Sequence, residues 1–206
     1  MTEGVVKYQL DFHPGPAPQD PRLPELQAWQ QICHRLGLVG QDPARYDGLA
    51  YGNLSLRLAG GQFLISGTQT GGKPKVQAGD YARVEHCDID ANRVIASGPL
   101  PPSSEALTHA AVYRGDPAIG CVMHGHSPEI WSRAAALGLP ATDPAAAYGT
   151  PAMAHEVARL LAGPRPAPSG VFMMAGHQDR VVAFGADPAG AGTALIAVLA
   201  RALRPG

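Results

Sequence analysis

Two histidines, His124 and His126, stand one residue apart at the end of an apolar run. If this segment is extended, both imidazoles project from one face of the strand and Gly125 from the other. Two converging imidazoles suit a divalent metal ion, and a catalytic site commonly uses three protein ligands and keeps one position open. A lone His-x-His pair is about equally consistent with surface histidines. The spacing therefore predicts part of a metal site whose other ligands come from elsewhere.

Two further residues are candidates to complete such a site. His177 follows the apolar segment "VFMMAG", and Glu105 lies at the start of a predicted helix that precedes the His-x-His strand. Each has an ordinary alternative, because a lone histidine is commonly structural and a glutamate at a helix start commonly caps it. His109, one helical turn beyond Glu105, is expected to orient that carboxylate or to pack.

Short strands and amphipathic helices are expected to position these residues. Apolar alternation predicts a strand from Val5 to Phe12, and turn-separated apolar runs predict further strands over 54–58, 62–66, 80–90, 92–97, 118–123, 170–177 and 180–185. Helices are predicted from Pro24 to Gly37, from Ser103 or Ser104 to Gly115, from Ser127, from Thr150 to Gly163 and over 191–203. We expect an N-terminal strand and proline-rich arm over 1–23 and a single domain over 24–206, with a mixed or largely antiparallel sheet covered by helices.

The composition excludes several classes of function. Sixteen basic residues balance seventeen acidic ones, for a formal net charge of -1. They form no dense basic patch, so we expect no nucleic-acid partner. No segment has the run of about 20 apolar residues that crosses a membrane, and the N-terminus lacks the pattern of a signal peptide. The three cysteines are far apart, which favours a reducing cytoplasm over a disulfide framework.

Several segments, in this order, resemble the class II aldolase/adducin family: "YGNLSLR", "FLISGTQTG", "PPSSEALTHAAVYRGDPAIGCVMHGHS", "YGTPAMAHEVARLL" and "VFMMAGHQDRVVAFG". The resemblance runs from about Leu26 to the C-terminus. It implies a three-layer α/β/α fold with a central, mostly antiparallel sheet, and a homo-oligomer, tetrameric as in other family members.

The resemblance also implies roles for individual residues. His124, His126 and His177 would bind a divalent metal, most commonly Zn²⁺, and Glu105 would ligate the resting metal and then act as a base. Thr68 matches a phosphate-contacting threonine, although the longer loop leaves Thr70 as an alternative. The groups that would bind the phosphate of a small-molecule substrate, or let the backbone approach it, are Gly52, Asn53, Thr68, Ser103 and Ser104.

The leading hypothesis is a metal-dependent lyase of the aldolase type, which cleaves a hydroxy-carbonyl sugar phosphate through a metal-stabilised enediolate. An epimerase, dehydratase or decarboxylase on the same scaffold is one alternative, and a non-catalytic adducin-like binding protein is another. Two departures from the family bear on this choice. The segment "RAAALGLPATDPAAA" lacks the tyrosine that serves the family's aldolases as general acid, a role left to Tyr148 or another residue. The segment "GHQDR" lacks the usual glycine after the histidine, so Gln178, Asp179 or Arg180 are candidates to reach the pocket.

Overall fold

An eight-stranded sheet forms the centre of the computed structural model, which describes residues 6–163 and 170–205. Its strands are β1 (Gln9–Pro14), β4 (Asn53–Arg57), β5 (Phe63–Ser66), β6 (Tyr81–Asp88), β7 (Arg93–Gly98), β8 (Cys121–His126), β9 (Val171–Met173) and β10 (Arg180–Gly185); β2 (Gly40–Gln41) and β3 (Ala50–Tyr51) form a separate small pair. The order across the sheet is β1-β7-β6-β5-β4-β8-β10-β9. Only the β1–β7 pair in this described sheet is parallel, which confirms the prediction of a mostly antiparallel sheet.

Five helices cover the two faces of the sheet in the described part of the chain. They are α1 (Leu23–Arg35), α2 (Ala106–Gly115), α3 (Pro128–Leu137), α4 (Pro151–Ala162) and α5 (Pro188–Ala202). Helices α2 and α4 share one apolar core with the sheet, and α1, α3 and α5 share a second core on the opposite face. The predicted three-layer α/β/α arrangement is thus confirmed. Over the described ranges, every helix is too short or too polar to cross a membrane.

The starts of α3 and α4 follow the predicted capping chemistry. The Ser127 hydroxyl accepts a hydrogen bond from the Ile130 backbone N–H at 3.2 Å, and Thr150 caps α4 in the same way. A proline follows each cap, where its fixed φ favours the first helical turn. The predicted serine cap of α2 is wrong, because this helix begins at Ala106 without a side-chain cap. Ser103 instead accepts from the Glu105 N–H at 3.3 Å.

Strand alternation determines which side chains reach the α2 face. In β8, Val122 packs in the core beneath α2 and α4, whereas Cys121 and Met123 pack in the opposite core. His124 and His126 follow Val122 at steps of two and therefore share its face. Strand β10 alternates in the same way, which places Arg180 on this face too.

Strand pairing then brings polar residues of neighbouring strands side by side. Asn53 of β4 is paired with His124 of β8, and Arg180 of β10 is paired with His126. Because paired residues on one face are close neighbours, register alone gathers these four side chains at one end of the sheet.

Three strand predictions need correction at their boundaries. The first strand is Gln9–Pro14 instead of Val5–Phe12, and Val5 lies outside the described residues. The strand predicted over 118–123 is Cys121–His126, so it includes both histidines. The strand predicted over 170–177 ends at Met173, which leaves His177 in the turn between β9 and β10.

The N-terminal segment is continuous with the central sheet. Its strand β1 lies on the outer edge beside β7, where Pro14 needs no ladder partner on its free side. Tyr8 is buried in the core beneath α2, and its hydroxyl donates to the Ser103 carbonyl at 2.8 Å. The division at residues 23 and 24 stays a prediction, and residues 1–5 of the arm and Gly206 lie outside the described residues.

Candidate functional site

A polar pocket opens where β4 and β8 meet the start of α2. Strand β4 contributes its first residue, the loop after β5 contributes Thr68, and the turn before α2 contributes two serines and Glu105. Eight of the nine predicted site residues line this pocket: Gly52, Asn53, Thr68, Ser103, Ser104, Glu105, His124 and His126. The predictions of a metal site and a phosphate site therefore fall on one cavity.

His124 and His126 present two adjacent imidazoles to the pocket. Their ring centroids are 5.1 Å apart, and both residues are buried. Burial lowers the pKa of each histidine well below its usual value, and the positive charge of Arg180 contributes to this shift. Both rings are therefore neutral near pH 7, which is the form that ligates a metal.

Each of these rings also has a buried nitrogen without a hydrogen-bond partner among the described residues, Nε2 of His124 and Nδ1 of His126. Buried polar atoms are nearly always paired in folded proteins, so two unpaired nitrogens in one pocket are unusual. A cation would satisfy both of them when each nitrogen holds its lone pair. This pair of rings fits a metal ion by its donor chemistry.

The Glu105 carboxylate is engaged on both oxygens. Oε1 accepts from Arg180 Nη1 at 2.6 Å, and Oε2 accepts from the Thr108 hydroxyl at 2.7 Å. Glu105 and Arg180 are 3% and 4% exposed, so this is a buried ion pair. Of the two roles expected for His109, orienting the carboxylate or packing, the structure shows packing: the residue is fully buried and its Nδ1 lies 2.6 Å from the Ser55 hydroxyl.

His177 is the one predicted ligand that does not line the pocket. It lies in the turn between β9 and β10, and its ring makes an edge contact with Tyr148 at 5.7 Å between centroids. Nε2 lies 2.7 Å from the Ala146 carbonyl oxygen, which can only accept, so Nε2 carries the proton and Nδ1 the lone pair. A backbone carbonyl commonly fixes a metal-binding histidine in this way. Burial lowers the pKa of His177.

Within residues 6–163 and 170–205, no three or more His, Cys, Asp or Glu side chains are grouped so that they could hold a metal together. His124 and His126 thus fit a metal ion, whereas Glu105 and His177 each have another partner in this arrangement. The four-ligand set stays a prediction.

The predicted phosphate-binding residues offer neutral donors around the same space. Between the two threonines in the loop, Thr68 lines the pocket, whereas the Thr70 hydroxyl donates to the Gly67 carbonyl at 2.7 Å. Gly52 has φ of +77°, and a Cβ there would lie 2.5 Å from Val39 Cγ1. The close backbone approach predicted for Gly52 is therefore toward Val39, and its role in substrate binding stays a prediction.

Of the three candidates Gln178, Asp179 and Arg180, it is Arg180 that lines the pocket. The loop around Tyr46, which covers His126, was not predicted from the sequence. The Tyr46 ring packs edge-on against His126 at 4.5 Å, and the Tyr46 hydroxyl donates to Asp179 Oδ2 at 2.6 Å. Arg45 Nη2 donates to the same carboxylate oxygen at 3.0 Å. The sequence signal was "ARYDG", a basic residue and a tyrosine close to "GNLS". The left-handed φ values of Tyr46 and Asp47, which turn this loop over His126, cannot be read from the sequence.

Comparison with known proteins places this architecture in a family. The sequence matches the profile of the Class II Aldolase and Adducin N-terminal domain over residues 42–199. The chain is 40% identical over 104 residues to a methylthioribulose-1-phosphate dehydratase of Pectobacterium carotovorum, a match that covers 50% of this chain and 45% of that protein. It is 33% identical over 103 residues to the enzyme of the same name from Gluconobacter oxydans, covering 49% and 47%. The chain therefore matches slightly less than half the length of these relatives.

Solved structures share the fold. An L-fuculose 1-phosphate aldolase superposes with a TM-score of 0.67 at 18% identity, covering 90% of this chain and 85% of that chain. A sugar-phosphate aldolase from Thermotoga maritima superposes with a TM-score of 0.66 at 15% identity, covering 86% and 90%. At these identities the likeness concerns the fold alone. With the sequence match over most of its length, the chain belongs to the class II aldolase and adducin family.

Proposed function

We propose that this protein is a metal-dependent lyase that removes water from a small phosphorylated hydroxy-carbonyl compound. The observation that carries the proposal is the presence, in one pocket with neutral hydrogen-bond donors, of a buried carboxylate and two neutral imidazoles that each have one buried nitrogen without a partner among the described residues. The named activity of the Pectobacterium and Gluconobacter relatives favours dehydration over aldol cleavage, the leading hypothesis from the sequence. The missing tyrosine also counts against aldol cleavage.

His124, His126 and His177 would hold the divalent ion, with Zn²⁺ the first candidate because it prefers imidazole nitrogen. The ion would withdraw electron density from the substrate carbonyl and make the neighbouring C–H bond more acidic. The neutral state of both pocket imidazoles supports this assignment, because neither has to lose a proton before it can bind.

Glu105 is the proposed base. It would take the proton from the carbon next to the carbonyl, and the C–H electron pair would become a C=C bond as the neighbouring C–O bond breaks. The same carboxyl can return that proton to the departing hydroxyl, which leaves as water, so the elimination balances without a second acid. Each carboxylate oxygen keeps a lone pair beyond its bond to Arg180 or Thr108.

The substrate phosphate would be bound by neutral groups. Asn53, Thr68, Ser103 and Ser104 provide an amide and hydroxyls at the same pocket wall. Arg180 adds a positive charge to the same pocket, where its Nη1 donates to Glu105 Oε1. We expect loss of a hydroxyl at Thr68 or Ser104 to raise KM more than it lowers kcat.

A product assay tests the reaction. Purified protein loaded with Zn²⁺ is incubated with a panel of ketose 1-phosphates that includes methylthioribulose 1-phosphate, and products are identified by mass spectrometry. Dehydration predicts loss of one water with no carbon–carbon cleavage, abolished in Glu105→Gln. Thr142→Ser, outside the pocket, is the matched control. Aldol fragments would restore the first hypothesis, and bound metal without any turnover would favour a binding protein.

We further propose a homo-oligomer, tetrameric by resemblance, that acts in the cytoplasm on a small-molecule substrate. The three cysteines, all unpaired in the described structure, support a reducing compartment. Light scattering coupled to size-exclusion chromatography tests the assembly, and a monomeric mass at working concentration would contradict it.

A further inference from the structure

Arg180 provides a positive charge inside the pocket. It begins β10 opposite His126, and its side chain is 5% exposed. One edge of the guanidinium meets Glu105 Oε1 at 2.6 Å, and its Cζ lies 4.1 Å from the centroid of the Tyr148 ring. A charge-assisted hydrogen bond on one side and an aromatic face on another hold the group in place.

Tyr148 in turn is fixed by its own surroundings. It is 2% exposed, Lys7 Nζ lies 3.5 Å from its ring centroid, and the edge contact with His177 continues the stack toward β9. Burial and the charge of Arg180 together lower the pKa of Lys7. Since Glu105 and Tyr148 are both buried against the guanidinium, the Arg180 side chain has little freedom to leave Glu105.

The carboxylate is held equally firmly. The Thr108 hydroxyl, in the first turn of α2, donates to Glu105 Oε2, and Arg180 Nη1, at the start of β10, donates to Oε1. Rotation of Glu105 toward His124 would break its buried ion pair with Arg180.

We propose that Arg180 is a positioning residue that holds Glu105 away from the metal, so that the carboxylate is not a ligand of the resting ion in this protein. The inference rests on the proposed function, because it concerns the ion held by His124 and His126. It departs from the role implied for Glu105 by the resemblance, in which the same carboxylate ligates first and acts as a base later. Here Arg180 replaces the metal as the partner of Glu105.

Metal affinity measured without substrate tests the proposal. Zn²⁺ and Co²⁺ dissociation constants are obtained by chelator competition for wild type, Glu105→Gln, Arg180→Gln, Arg180→Lys and the double variant Glu105→Gln/Arg180→Gln. We expect Glu105→Gln to bind within about threefold of wild type, because a group that is not a ligand can be neutralised without loss. A tenfold or greater loss in Glu105→Gln would overturn the proposal.

The Arg180 variants give the complementary result. Arg180→Gln frees the carboxylate to join the two imidazoles, so we expect affinity to rise at least tenfold and the visible absorption of bound Co²⁺ to weaken as a ligand is added. Arg180→Lys keeps the charge and is expected to resemble wild type. The double variant lacks the Glu105 carboxylate, so its metal affinity should not rise above that of wild type. A general loosening of the fold would instead affect Arg180→Gln and the double variant alike. Unchanged affinity in Arg180→Gln would overturn the proposal.

The same measurements separate this inference from the proposed function. If wild type binds no metal but Arg180→Gln does, Arg180 holds the carboxylate as proposed and the metal-dependent lyase fails. If neither binds metal, both fail. If wild type binds metal and Arg180→Gln binds it no more tightly, only the role of Arg180 fails. Thermal unfolding of each variant confirms that the affinities refer to folded protein.

Discussion

Asn53 Nδ2 lies 3.2 Å from His124 Nδ1, across the pairing of β4 with β8. The amide nitrogen can only donate, so Nδ1 accepts and Nε2 carries the proton in this arrangement. Asn53 Oδ1 and His124 Nε2 are both buried without a partner among the described residues. A half-turn of the amide would let Oδ1 accept from Nδ1–H and would leave the Nε2 lone pair for a metal. Asn53 is thus placed to select the tautomer of His124.

Asn53→Ala is expected to weaken metal binding about 10- to 100-fold, the usual effect of losing a residue that orients a metal-binding histidine. Asn53→Asp keeps an acceptor for Nδ1–H and should retain most of the affinity. Chelator competition in the absence of substrate measures both variants. If Asn53→Ala changes only KM and leaves the metal dissociation constant unaltered, Asn53 serves the substrate alone.

The buried histidine His109 gives the fold a dependence on pH. His109 and Tyr113 both meet the Ser55 hydroxyl at 2.6 Å, in the core between α2 and the sheet. Burial lowers the pKa of His109 to about 3, with a smaller contribution from His124. The unfolded histidine takes up its proton near pH 6.5, whereas the folded one resists until about pH 3. Between these values the unfolded state binds more protons, so stability falls as the pH falls.

We therefore expect His109→Gln to flatten the acid side of the stability profile. From pH 6.5 down to 4.5, the free energy of unfolding of metal-free wild type should decrease more steeply than that of the variant, by up to about 1.4 kcal/mol per pH unit. Urea titrations at a series of pH values measure the difference. His124 and His126 are present in both proteins, so the comparison isolates His109. Parallel profiles would show that His109 is not held neutral.

Much of the fold and part of the site were predictable from the sequence, because periodicity and caps are local. The His-x-His spacing gave the shared face of His124 and His126, and Ser127-Pro128 gave the start of α3. The Arg180–Glu105 pair was not predictable, since it depends on the β8–β10 register across 75 positions of sequence. The position of His177 depends on where β9 ends, a boundary that apolar composition does not define.

The loop over His126 depends on Asp179 for its shape. Asp179 is 4% exposed and has φ of +65°, and its Oδ2 accepts from both Arg45 and Tyr46. Asparagine tolerates this left-handed backbone, whereas alanine does so poorly. Asp179→Asn removes the charge and should therefore lower the free energy of unfolding by about 1–2 kcal/mol. Asp179→Ala removes the acceptor as well and adds backbone strain, so it should lower the free energy of unfolding by about 3–5 kcal/mol in all. Chemical denaturation compares the two, and equal losses would contradict this division.

Tyr46→Phe tests whether the phenol takes part in the reaction. Its proton is directed at Asp179, and burial raises the pKa of the phenol, so the hydroxyl holds its proton firmly. We expect the variant to lose about 0.5–1.5 kcal/mol of stability and to keep kcat within a few-fold of wild type. A fall in kcat of a hundredfold or more would assign to Tyr46 the acid role that the family's missing tyrosine leaves open.

Gly52 allows the backbone just before β4 to pack closely against Val39, the residue before β2. Gly52 and Gly37 have similar left-handed φ values, +77° and +70°, but a Cβ at Gly52 would collide with Val39 whereas one at Gly37 would meet nothing within 4 Å. Gly37→Ala should lower the free energy of unfolding by about 1–2 kcal/mol, the cost of a left-handed backbone at a residue with a Cβ. Gly52→Ala should cost about 1–3 kcal/mol more, because Val39 must move. The collision includes the Val39 Cα at 3.0 Å, so truncation of Val39 to alanine should restore only part of the loss. Urea unfolding of the single and double variants measures these terms, and equal costs at the two glycines would show that Val39 yields freely.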